Sequence, residues 1–271
     1  MLSILKNAEE GCTTYYVGDN VEHIKHLSNC TLICKREFEN LDNVKQIIVD
    51  DPQIYFYKLS HEVENKYTFN GNYFVTEGVD IHPTAVIGDG VILDSGVSVG
   101  PNTVIYSKTH VGENTRIDAN CTIGTEGMMW VWDGDEKVFL KQLGGVVIGK
   151  NCVIGSNTAI VRGSANEQTI IDDGVNMAPG CNVGHGTFIG KNTHLANNIA
   201  TGGSSYIESN NFIGCGVSLK PGVRIKVEDV IIGTGGVVIK DISESGVYVG
   251  SPAKKIKDID TKHTGVPSWK K

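Results

Sequence analysis

"IHPTAV IGDGVI LDSGVS VGPNTV IYSKTH VGENTR IDANCT IGTEGM", residues 81–128, opens each of its eight blocks of six with an aliphatic residue: Ile81, Ile87, Leu93, Val99, Ile105, Val111, Ile117 and Ile123. The frame resumes at Ile148, Ile154 and Ile160 and runs again from Ile171 to Ile225. That makes roughly twenty hexads, in which Thr201 is the only polar first residue. A period of six matches neither the 3.6-residue face of a helix nor the simple alternation of a strand. It matches short flat strands that meet at corners. Second positions are often Gly, Asp or Ala and fourth positions Gly or Asn, residues that tolerate positive φ or bond their own backbone in turns. Fifth positions, from Ala85 and Val91 to Thr115 and Cys121, are small or β-branched and suit a narrow interior. Three hexads then close one triangular coil, coils stack at about 4.8 Å, and the aliphatic ladders are core.

Around this stretch the chain of 271 residues is 40% hydrophobic, the balance of a globular protein. Its 33 glycines against seven prolines call for many turns and exclude collagen. A net charge of −7, with lysines and arginines spread out, argues against nucleic acid and leaves a small molecule as the expected partner. Seven cysteines without a CxxC pair read as free thiols of a reducing compartment. The start "MLSILKNAEEGCTTYY" does not read as a signal peptide, and no run reaches the ~18 apolar residues of a membrane span. The expected location is cytoplasmic.

Two interruptions of the repeat draw attention, since insertions in a solenoid gather on one face and often carry function. "EGMMWVWDGDEKVFLKQLGG", residues 126–145, has two apolar runs around Asp133-Gly134 and reads as a protruding β-hairpin. Its Trp130 and Trp132 are expected to pack the hairpin onto the helix or a neighbouring subunit, or to form a sugar or nucleotide platform. "IVRGSANEQTIIDDGV", residues 160–175, reads as a shortening of the twelve-residue spacing of two hexads to eleven.

The hexad pattern over residues 81–250 resembles the left-handed parallel β-helix of the hexapeptide-repeat acyltransferases, whose members are typically homotrimers. In order along the chain, "IGTEGMMWVWDGD", "NTAIVRGSANEQTIIDDGV" and "NVGHGTFIGKNT" resemble the motifs of the N-acyltransferases that act on UDP-3-O-acylglucosamine in lipid A biosynthesis. The first 76 residues look like that family's small α/β nucleotide-binding domain. Where that family carries Asp before the Arg-Gly pair, this chain has Val161 ahead of Arg162 and Gly163. The ending "SGVYVGSPAKKIKD" resembles instead the acetyltransferases of small sugars, and the hybrid is similar to N-acetyltransferases of dTDP-3-amino-3,6-dideoxyhexoses. The implied organisation is an α/β domain over 1–76, a β-helix over 77–250 and a C-terminal tail over 251–271.

The expected activity is acetyl-CoA-dependent N-acetylation of a nucleotide-linked amino-deoxyhexose, with dTDP or UDP open. The alternative is the lipid A reaction, with a hydroxyacyl carrier protein as donor. N-acyl transfer needs a neutral amine, a destination for one proton and donors for the oxyanion. His185 falls where the resemblance places the catalytic histidine, and Glu126 is the candidate carboxylate for holding the amine. The proton could equally leave with the CoA thiolate. Implied substrate contacts are Tyr15 or Tyr16 and Asn20 at the base, Trp130, Arg162, and Asn176 and Asn182 flanking His185. Gly202 and Gly203 would let the pantetheine approach, and Lys220, Lys240 and Lys254 would meet the CoA phosphates. His194 has no motif match. A zinc hydro-lyase on the same scaffold would need three converging histidines and a non-catalytic scaffold would leave both interruptions without purpose, so no metal is expected.

Overall fold

Every first-position residue from Ile87 to Ile225 is buried, and nearly all join a single apolar cluster that runs the length of the repeat. The fourth positions take the left-handed backbone expected of them: Gly90, Gly96, Asn102, Lys108, Asn114 and Asn120 have φ between 56° and 77°. The second-position glycines serve a different end. Gly100 does not adopt positive φ; a Cβ there would lie 2.8 Å from the nitrogen of Ala119 in the coil stacked on it. Close approach of neighbouring coils, rather than backbone freedom, accounts for glycine at that position.

In the computed structural model, which describes residues 1–63 and 67–259, these hexads wind into a mostly parallel β-solenoid with three faces. The first face runs from Phe74–Val75 to Arg224–Ile225 in eight strands. The second runs from Asp80–Ile81 to Lys254–Lys257 in ten, the last pair antiparallel, and the third from Val86–Ile87 to Val237–Val238 in eight. Registers such as Ile81↔Val99 and Ile87↔Ile105 fix three hexads as one coil.

Two departures from this register follow the interruptions. Val111 pairs with Ile148 and Ile148 with Ile171, so residues 126–144 and 163–167 both leave at the corner between the third and first faces. The second interruption is therefore not a shortening. Ile160 and Ile171 stand on adjacent faces, one ordinary hexad step apart, lengthened by the five residues 163–167. A count of residues between aliphatic positions could not distinguish the two.

The chain divides into two compact units: Met1–Lys66 with Glu126–Gly144 and Gly163–Glu167, and the solenoid of Tyr67–Thr125, Gly145–Arg162 and Gln168–Lys271. The first is α/β. Strands Thr13–Tyr15, Thr31–Cys34 and Lys45–Ile48 form a parallel sheet, followed by helix Pro52–Ser60, whose N-terminal amides are capped by the Asp51 carboxylate. Strands Trp130–Asp133 and Glu136–Phe139 form the hairpin, turning at Gly134. Its Met129, Val131, Val138 and Leu140 enter one core with Leu2, Ile33, Phe56 and Tyr57. The C-terminal tail lies outside the described residues beyond 259. All seven cysteines are free, six of them buried. Among the described residues no helix is long and apolar enough to cross a membrane.

Candidate active site

The corner between the third and first faces forms a column, one turn per coil: Ser107, Thr125, Arg162, His185 and Gly203 hold its third positions in succession. Twice the chain leaves here, and the local bonding changes accordingly. In an undisturbed corner the third-position carbonyl accepts the fourth-position N–H of the next coil, as Pro101 accepts from Asn120 at 2.9 Å. At Ser107 the residue due to donate, Glu126, begins the first insertion.

Arg162 supplies donors here. Its side chain is fully buried; Nη2 donates to the Ser107 carbonyl at 2.5 Å and Nε to the Gly124 carbonyl at 2.7 Å, with the guanidinium 4.8 Å from the Tyr67 ring centre. The expectation that Arg162 meets substrate does not match this placement. A guanidinium carries several donors in a rigid fork, which suits it to orphaned carbonyls inside a solenoid. Burial and then the charge of Arg162 lower the pKa of Lys108.

His185 occupies the first corner after both insertions. Its turn is held from three sides. The Gly186 N–H donates to Thr169 Oγ1 at 2.9 Å, and that hydroxyl donates to the Val161 carbonyl at 2.6 Å, spanning the second interruption. The Gly184 N–H reaches both the carbonyl and the hydroxyl of Thr201, each at 3.1 Å. The Ser204 N–H donates to the His185 carbonyl at 2.6 Å. Thr201, the one polar residue of the ladder, thus uses its hydroxyl to clamp the histidine turn. Neither Thr201 nor Thr169 stood out as functional in the sequence, although the exception at Thr201 was a visible signal.

The remaining expected residues separate. Asn182 lies on the third face, leading into the His185 corner, whereas Asn176 lies on the second face beside His194, so the two do not flank one site. Each donates from its Nδ2 to the carbonyl two residues back, Gly174 at 3.0 Å and Gly180 at 3.3 Å, as corner residues do. His194 stacks on Phe212, rings 5.2 Å apart and 3° from parallel. Gly202 and Gly203 are backed by Pro221 and by the His185 ring respectively. Lys220 and Lys240 are exposed on the same corner column beyond His185; Lys254 is exposed on the second face.

Within the first unit, Tyr16 is buried, its hydroxyl donating to the Asn20 carbonyl at 3.0 Å and lying 3.1 Å from His23 Nδ1. Tyr15 packs against Phe56, and burial, with the neighbouring Tyr57, pushes its pKa up to about 12. The Asn20 side chain accepts from the Glu22 N–H at 3.0 Å, capping a short helix. All three are thereby engaged within their own unit rather than assembled as a clamp for a base. Glu126 is exposed at the start of the hairpin. Trp130 and Trp132 point away from the hairpin's packed side and are exposed, 5.2 Å apart edge to face, with Lys137 4.4 Å from the Trp130 ring centre. Among the described residues no three His, Cys, Asp or Glu side chains gather as metal ligands.

No family model matches the chain. UDP-3-O-acylglucosamine N-acyltransferases are similar to it: that of Delftia acidovorans is 30% identical over 132 residues, 49% of this chain and 39% of that protein. That of Hahella chejuensis is 31% identical over 137 residues, 51% and 39%. Over 59 residues, 22% of this chain and 17% of the relative, identity to the Saccharophagus degradans protein reaches 48%. The chain therefore spans less than half the length of these curated relatives. Among solved structures, a UDP-N-acetylglucosamine acyltransferase superposes with a TM-score of 0.62 at 27% identity, covering 68% of this chain and 69% of that one.

Proposed function

We propose, from the premise that this chain belongs to the hexapeptide-repeat left-handed β-helix acyltransferases, that it transfers an acyl group from a thioester to the amino group of a nucleotide-linked amino sugar. The observation that carries the reading is the His185 corner. It is the first corner to resume after two insertions, and it is braced by Thr169, Thr201 and the Ser204 amide. Solenoids place function where regularity breaks.

The chemistry asks little of the chain beyond placement. The amine nitrogen bonds the thioester carbonyl carbon, the C–S bond breaks, and the amine proton ends on the departing sulfur, directly or by way of the His185 imidazole. Glu126 is the carboxylate assigned to the amine. Exposed Lys220 and Lys240 supply positive charge along the same corner column for a phosphate-bearing donor. A homotrimer is the expected assembly.

The relatives' names favour a UDP-linked glucosamine acceptor and the lipid A type of reaction over the dTDP-amino-deoxyhexose that the sequence first suggested. Acetyl-CoA-dependent modification of a small amino sugar is kept as a second reading by one feature. Described residues of the C-terminal part end in an antiparallel pair, Gly246–Val249 with Lys254–Lys257, on the solenoid's edge. A panel crossing UDP- and dTDP-amino sugars with acetyl-CoA and hydroxyacyl carrier protein separates the two. His185→Ala is expected to lower kcat/KM by about 100-fold or more, and Glu126→Gln to raise the KM for the amino sugar. Near-full turnover by His185→Ala would move the proton to the thiolate route, and no turnover on any member of the panel would sink the reading.

A further inference from the structure

From the hexad at Ile81 to the hexad at Val238 the third position of every described hexad carries a side chain, with one exception, Gly203. It lies one coil beyond His185. Its φ is outside the left-handed range, so its backbone conformation would accept any residue. What excludes a side chain is space. A Cβ on Gly203 would lie 2.1 Å from Nε2, 2.5 Å from Cδ2 and 2.7 Å from Cε1 of His185, all far inside the 3.5–4.0 Å of ordinary contact.

We propose that Gly203 is the seat of the His185 imidazole: the missing side chain lets the ring lie back on the stacked coil and fixes the direction its nitrogens face. The proposal rests on the reading of His185 as the group that handles the amine proton. The exceptions at this corner act together. Thr201 clamps the turn before the histidine through the Gly184 N–H, the Ser204 N–H holds the His185 carbonyl, and Gly203, between them in sequence, receives the ring. A methyl group in the seat must turn the imidazole to another rotamer, and a displacement of about 1 Å in a reacting group costs on the order of 100-fold in rate. Gly203 is thus a positioning residue.

The test is Gly203→Ala in the full chain, alone and with His185→Ala. In the wild type the His185 imidazole resonances are assigned by their loss in His185→Ala. They are expected to shift in Gly203→Ala, while those of the other histidines stay in place. Turnover should fall about 100-fold with the KM for the amino sugar within about threefold. The double variant gives a readout independent of folding of the single one. With the ring gone the methyl has room, so thermal stability and turnover of the double variant should match those of His185→Ala alone. Unchanged His185 resonances, a shifted ring with full turnover, or an equal cost of Gly203→Ala on both backgrounds would each overturn the proposal. Near-full turnover by His185→Ala defeats the assignment of the amine proton to His185 separately, and the resonances then decide the seat by themselves.

Discussion

Two corner columns of the solenoid face the same mechanical task and solve it differently. Between the second and third faces the steps Ile81 to Ile87, Val99 to Ile105, Ile117 to Ile123 and onward to Ile232 and Val238 are all of six residues. Backbone bonds such as Asn120 to Pro101 and Asn157 to Ala119 recur there, joined at one coil by the Thr103 hydroxyl, which donates to the Asp118 carbonyl at 2.7 Å. Between the third and first faces the chain leaves twice, and the bonds lost to the backbone return as buried side chains: Arg162 for Ser107 and Gly124, Thr169 for the His185 turn. At the second kind of corner the removal of one side chain, Arg162, strands two carbonyls at once. Regularity makes a column tolerant, and interruption makes it fragile.

The difference is broken most forcefully at Arg162. Arg162→Met removes donors from two buried carbonyls while keeping much of the volume, and is expected to destabilise by about 3 kcal/mol or more. Ser156→Ala, at a third position of the unbroken column, should stay within about 0.5 kcal/mol. Denaturant midpoints measured on both decide whether the interrupted column really depends on its side chains. Next comes the remaining corner column, between the first and second faces, where Ile225 to Ile232 takes one residue too many. Buried Asn211 absorbs it, donating to the Glu208 and Val227 carbonyls at 2.8 and 3.0 Å and accepting from the Val230 N–H at 2.7 Å. Asn211→Ala should cost about 2 kcal/mol. A cost near zero would mean that the irregular coil closes without it.

A smaller effect is expected at Thr201→Val, which restores an apolar ladder at the expense of one acceptor for the Gly184 N–H. The expected loss is about 1 kcal/mol, with faster hydrogen exchange at Gly184 and a drop in turnover. If exchange at Gly184 is unchanged, its bond to the Thr201 carbonyl holds the turn unaided and the clamp has no role.

The ladders and corners were legible because each imposes a rule at one position of six: burial at the first, left-handed φ at the fourth. Gly100 was misread because positive φ and close coil approach both select glycine, and composition cannot tell them apart. The step from Ile160 to Ile171 was misread because register, unlike residue count, is a property of paired strands. Arg162 carried a motif but no sign of burial, since a charged residue pointing inward contradicts the usual pattern. At Gly203 the seat depends on a ring eighteen residues earlier, a contact that exists only once coils stack. His185 was singled out by motif resemblance alone, and the bonds that brace its turn had no signal in the sequence except the polar exception at Thr201.

Ordinary corners also have a surface electrostatic layer, and it gives the mildest test. Asp173, at a corner between the first and second faces, accepts the Lys150 N–H at 2.9 Å and meets Lys191 Nζ at 3.3 Å. These contacts, the Lys150 amide first, hold its carboxyl below the usual carboxylate range. A lowered native pKa stabilises fully above the unfolded value and is lost as pH falls through the native one, because the unfolded chain takes up the proton first. Asp173→Asn should therefore lower the thermal midpoint by about 2 °C or less at pH 7, the modest effect of a solvated pair. That gap should close as the pH drops below about 4. A gap that persists in acid would mean that Asp173 acts through its shape at the corner and not through its charge.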